Sequence, residues 1–126
     1  MTAPTVLDAS AVLALLQEEP GADEVERLLD GAVMSCVNLS EVLQKAEQHG
    51  VHTEGLEFEL EALGVEFRAF DVSSARPTAE AWTLGSGLSL GDRACLALAM
   101  HLGGTAVTTD AQWADAGRDM DVRVLR

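Results

Sequence analysis

Short apolar runs alternate along the chain with longer stretches in which Leu, Val and Ala recur every three or four positions. The first pattern is that of a buried strand, the second that of a helix with one buried face. Residues 5–8 read as a short strand, and Ser10 then caps an Ala/Leu-rich helix that stops near Glu19-Pro20-Gly21. A second helix over 22–29 carries Val25, Leu28 and Leu29 at helical spacing, so the two form a hairpin. Residues 32–35 make the next strand, followed by helices over 39–48 and 53–63 and a third strand over 65–70. Helices over 74–84 and 90–102 precede a fourth strand at 105–108, a short helix at 111–116 and a last strand at 122–125. This alternation predicts an α/β fold, with a parallel sheet of four to five short strands and helices on both faces. In such sheets ligands sit beyond the carboxyl ends of the strands.

With 126 residues and no repeat, low-complexity tract or linker, the expectation is a single domain over 1–126. The apolar share is 48% but includes only two Trp, three Phe and no Tyr, so the core must be built from Leu, Val and Ala. No apolar stretch approaches the roughly 18 residues of a membrane span, and Met1-Thr2-Ala3-Pro4 opens no secretory signal. A cytoplasmic protein without membrane contact is expected. Cys36 and Cys95 lack motif spacing and lie in apolar stretches, which predicts two buried, reduced thiols. The net charge of -13 is uneven: residues 1–67 hold 14 acids against Arg27 and Lys45. Non-specific nucleic-acid binding draws its affinity from phosphate neutralisation, so this charge disfavours it and favours a basic partner protein.

Four acids stand where an apolar run hands over to a turn or a new helix. Asp8 ends Thr5-Val6-Leu7, and Asp110 follows Val107-Thr108-Thr109. Glu41 and Asp92 each lie three residues after a candidate N-cap, in Asn38-Leu39-Ser40-Glu41 and Ser89-Leu90-Gly91-Asp92. Each has an ordinary reading as a cap or turn residue. Gathered in one crevice, however, carboxylates some 4 Å apart would repel by roughly 1 to 4 kcal/mol. Capping does not require such crowding, and a hard divalent cation relieves it. Carboxylate oxygens suit Mg²⁺ or Mn²⁺ better than Zn²⁺, for which the chain offers no Cys/His cluster.

The segments around these acids resemble a known family. Val6-Leu7-Asp8-Ala9-Ser10, Asn38-Leu39-Ser40-Glu41-Val42, Leu90-Gly91-Asp92-Arg93-Ala94-Cys95 and Val107-Thr108-Thr109-Asp110 are similar, in order and spacing, to the four acidic motifs of PIN-domain ribonucleases. Within that superfamily they look most like the VapC toxins of type II toxin–antitoxin pairs. The resemblance implies a PIN-domain fold and an endoribonuclease that uses Mg²⁺ or Mn²⁺ and leaves 5′-phosphate and 3′-hydroxyl ends. It assigns Asp8, Glu41, Asp92 and Asp110 to the metal and catalytic quartet, with Asp115 able to substitute for Asp110 if the short helix turns it inward. It also gives the hydroxyls of Ser10 and Thr109 the task of steadying a neighbouring carboxylate or water. The implied partners are RNA, a cognate VapB-like antitoxin and a second copy of the chain.

Other classes fit less well. A phosphatase of the haloacid dehalogenase type would place Asp-x-Asp where this chain has Asp8-Ala9-Ser10, and a receiver domain would need a late lysine, whereas the sole lysine is Lys45. A PIN-like module kept only for protein binding would be marked by a missing acid, and none is missing. His49 and His52 read as helix-terminal cations, Lys45 as an ion-pair partner of Glu41, and Trp82 and Trp113 as packing residues. Arg93 fits either an RNA phosphate contact or a salt bridge.

Overall fold

The structure, a computed structural model, describes residues 3–83, 86–113 and 121–125. Strands β1 (Thr5–Leu7), β2 (Val33–Ser35), β3 (Glu66–Arg68), β4 (Thr105–Thr108) and β5 (Val122–Val124) form one sheet in the order β3-β2-β1-β4-β5, with every adjacent pair parallel. The helices are α1 (Ala9–Leu16), α2 (Ala22–Leu28), α3 (Cys36–Gln48), α4 (Leu56–Ala62), α5 (Val72–Glu80) and α6 (Leu90–Leu102). The α/β architecture is thus the one the sequence predicts. Most of the expected helix over 111–116, including Asp115, lies outside the described residues. Among the described residues no helix is long and apolar enough to cross a membrane.

Alternation along β1 divides the core into two layers. Val6 faces one way with its neighbours Val33 and Ala106, against Cys95, Leu96 and Ala99 of α6 and the buried ring of Trp113. Leu7 faces the other way with Met34 and Val107, against Val12 of α1, Val25 of α2, Val42 of α3 and Leu60 of α4. Each fully buried Val or Leu contributes about 1.5–3 kcal/mol. Strands of three or four residues, with few ladder bonds, are therefore held mainly by helices on both faces.

Departures from the expected boundaries fall at both helix starts and ends, the largest being α5, which ends at Glu80 rather than at residue 84. Asp8, not Ser10, caps α1, and its side chain accepts the Ala11 N–H. Helix α3 begins at Cys36 rather than at residue 39, because Ser35 at the end of β2 already accepts the Val37 N–H. Asn38 therefore sits in the first turn and Glu41 in the second, and no capping box forms there. The early start also leaves Cys36 exposed, contrary to expectation, while Cys95 is buried; both thiols are free. Helix α6 spans the expected residues. Ser89 and Asp92 form a capping box, and Gly103 closes the helix at φ 65°, a left-handed conformation that glycine adopts without strain.

Candidate active site

Because the strands are parallel, β1, β2 and β4 end along one edge, and α1 and α3 start there. Asp8 is the most buried acid at this edge, only 3% exposed. Three donors hold its carboxylate. Ser10 Oγ lies 2.8 and 2.9 Å from the two oxygens, Thr108 Oγ1 donates to Oδ2 at 2.6 Å, and the Ala11 N–H donates to Oδ1 at 2.9 Å. The two hydroxyls are themselves oriented, since Ser10 Oγ accepts the Thr109 N–H and Thr108 Oγ1 accepts the Asp110 N–H. Burial nevertheless dominates and pushes the Asp8 carboxyl up to about 6. The bonds from Thr108, Ala11 and Ser10 oppose the rise, and the charge of Asp92 adds to it.

The hydroxyl that β4 supplies to Asp8 belongs to Thr108, not to Thr109 as the family resemblance suggested. Register decides this. Leu7 pairs with Val107, so Thr108 falls beside Asp8 on the α6 side of the sheet, and Thr109 turns to the opposite side near Gly21. Thr108→Val, which keeps the shape and removes a donor to a charged group, is expected to cost about 1.5–3 kcal/mol at pH 7. Thr109→Val should stay within about 0.5 kcal/mol. Equal losses for the two variants in urea unfolding would remove the special place of Thr108.

Glu41 and Asp92 arrive from α3 and α6. Asn38, 1% exposed, donates through Nδ2 to Glu41 Oε1 at 2.9 Å and to the Gly91 carbonyl at 3.0 Å, so it ties the second turn of α3 to the first turn of α6. Asp92 Oδ2 accepts the Ser89 N–H at 3.0 Å in the capping box. The buried Cys95 thiol, one turn further along α6, marks where the acids converge. Burial first, then the charges of Asp8, Asp92 and Glu41, raise its pKa well above the usual thiol range. Asp110 joins this group only indirectly, through its N–H to Thr108. Its carboxylate accepts the Gln112 N–H at 2.9 Å in a local turn.

Carboxylate oxygens are the donor chemistry of a hard divalent cation, and a buried Asp8 that feels the charge of Asp92 is an electrostatic setting that a cation relieves. Among the described residues, however, no group of three His, Cys, Asp or Glu forms a ready-made ligand set. Each carboxylate is engaged with its own neighbours instead.

Other expectations resolve differently. Among the described residues Arg93 forms no salt bridge, and its Nη1 donates to the Thr78 carbonyl at 3.1 Å, which clips α6 to α5. Lys45 forms no ion pair with Glu41 among the described residues. Trp113 is packed in the core as expected, whereas Trp82 is 59% exposed. Asn38 and Thr108 are the site residues that sequence reasoning missed. The signal for Asn38 was Ser35, an earlier cap that moves the helix start upstream.

A five-stranded parallel sheet with helices on both faces and a buried aspartate at its carboxyl edge defines an α/β domain class that comparison with known proteins narrows. The model of the PIN domain family matches residues 5–119, so the chain belongs to that family. The fold is similar to VapBC2 from Rickettsia felis, solved bound to a DNA fragment from their promoter, at a TM-score of 0.67 and 15% identity over 97% of this chain and 98% of that one. It is also similar to PAE2754 from Pyrobaculum aerophilum, at a TM-score of 0.57 and 18% identity over 97% of this chain and 92% of that one. No curated protein matches the sequence.

Proposed function

We propose that this chain is the toxin of a type II toxin–antitoxin pair, an endoribonuclease that requires Mg²⁺ or Mn²⁺ and is held inactive by a cognate VapB-like antitoxin. The observation that carries the reading is Asp8, buried at the end of β1 and held by Ser10, Thr108 and the Ala11 N–H, with Glu41 and Asp92 on the two helices that Asn38 ties together. Membership of the PIN family and the likeness to a chain of VapBC2 support it.

In this reading Asp8, Glu41 and Asp92, with Asp110 as the fourth acid, hold the cation, and Asp115 remains the substitute for Asp110. The bound cation supplies positive charge to the attacking and leaving oxygens of a phosphodiester. The chain supplies position. Ser10 and Thr108 fix the plane of the Asp8 carboxylate, and the Ser89 cap fixes Asp92 at the start of α6. The acidic first half repels RNA and attracts a basic peptide, which fits an antitoxin tail lying along the first-half helices and placing an Arg or Lys at the acids. A homodimer is part of the same proposal.

The test is cleavage of RNA by the purified protein with Mg²⁺ or Mn²⁺, leaving 5′-phosphate ends, with EDTA stopping it and Asp92→Asn reducing it to background. Wild-type cleavage by Asp92→Asn would remove Asp92 from the site. Antitoxin binding without any cleavage by the wild type would leave a binding module in place of a nuclease.

A further inference from the structure

Asn38 is buried, yet only half of its amide is used. Its Nδ2 faces two acceptors, Glu41 Oε1 and the Gly91 carbonyl, which fixes the orientation of the amide, since a flipped group would set oxygen against oxygen. Its Oδ1 is then buried without a partner among the described residues. An unpaired buried carbonyl destabilises the fold, and a leucine of similar size would fill the same space without that cost. What the asparagine does that leucine cannot is donate to the Glu41 carboxylate and to α6 at once.

Gly91 completes the arrangement from the other side. A Cβ at this position would overlap the Glu41 carboxylate, so any larger residue would push that side chain out of the place it takes against the first turn of α6. The backbone of Gly91 is not in the left-handed region, and the requirement here is for space.

We infer that Asn38 and Gly91 form a latch that positions Glu41 against the start of α6, so that the spacing of Glu41 and Asp92 is set by the α3–α6 contact and not by either helix alone. Asn38 is a positioning residue that acts through Glu41. The inference rests on the proposed cation site for its consequence, but the latch itself is a contact that exists without any cation.

Asn38→Leu separates positioning from packing. The variant should stay folded and melt close to wild type in EDTA, because removal of the orphan oxygen offsets the loss of the two Nδ2 donations, while its Mn²⁺ affinity, read from the electron paramagnetic resonance signal of free Mn²⁺, falls roughly tenfold or more. In a Glu41→Gln background the same change should lower the affinity little further, since the group through which Asn38 acts is already altered. Gly91→Ala should also lower Mn²⁺ affinity, and adding Glu41→Asp, which shortens the displaced side chain, should recover part of the loss. Equal losses from Asn38→Leu with and without Glu41→Gln would overturn the latch and make Asn38 an ordinary core residue. If wild type binds no Mn²⁺, the proposed function fails, and the latch is decided on the metal-free protein by the Asn38 side-chain amide resonances. These should move upfield when Glu41 becomes Gln, and an unmoved signal refutes the contact.

Discussion

Asp8→Asn is expected to abolish RNA cleavage and, in the absence of divalent cation, to yield a protein that is more stable than wild type at pH 7. The two effects share one cause. Burial holds the Asp8 carboxyl near a pKa of about 6 in the folded protein, against 3.8 as the ordinary value. A group whose folded pKa lies above its unfolded one favours folding fully below the unfolded value, and that contribution is lost as pH rises through the folded value. Between pH 4 and pH 7 the ionisation of Asp8 therefore costs the metal-free fold about 2 kcal/mol. Asn at this position does not titrate. Its stability relative to wild type should rise by about that amount over the same interval, whatever constant offset the altered hydrogen bonds introduce. Paired urea titrations in EDTA at the two pH values measure it. A gap that does not change with pH would mean that Asp8 is better solvated than its 3% exposure implies.

Divalent cation should then reverse the order. A ligand that binds only the folded state at a hundredfold above its dissociation constant stabilises it by about 2.7 kcal/mol, a shift of roughly 10 °C for a domain of this size. Mn²⁺ should raise the melting temperature of wild type by about that much and leave Asp8→Asn and Asp92→Asn nearly unmoved. In EDTA these two variants should diverge. Asp92 contributes the smallest of the effects on Asp8, so its removal relieves little repulsion. It also sits in the capping box at the positive end of α6, where loss of its charge costs about 0.3–1 kcal/mol. Asp92→Asn should thus melt slightly below wild type at pH 7, and Asp8→Asn above it. With a net charge of -13 the surface offers Mn²⁺ many weak sites, so an equal rise for wild type and Asp8→Asn would place the cation somewhere other than the sheet edge.

Much of this molecule was legible in the chain because its determinants are local. The Ser89–Asp92 capping box, the Ala-rich face of α6 and Gly103 are all contained in one segment, and the helix they define is found from Leu90 to Leu102 as the spacing predicts. The apolar run at 105–108 is likewise β4. The parallel sheet follows from the alternation of such segments. That alternation, together with four acids at hand-over points, singled out Asp8, Glu41, Asp92 and Asp110 as candidates for one site at the carboxyl edge.

Contacts between segments distant in sequence decided the rest. Ser35 and Asn38 are both acceptable helix caps by residue type, and only the end of β2 determines which of them meets the first free N–H of α3. The choice between Thr108 and Thr109 depends on the pairing of Leu7 with Val107, a register between strands a hundred residues apart that no local pattern encodes. Gly91 reads in the chain as a weak point in a helix, and only the approach of α3 turns its missing side chain into room for the Glu41 carboxylate. The sequence alone determined the order of strands and helices along the chain and the cap of α6, because charge, capping and hydrophobic period are properties of short segments. Tertiary structure decided which hydroxyl, amide and glycine hold each acid, because burial and hydrogen bonding between distant segments arise only when the two layers close on the sheet.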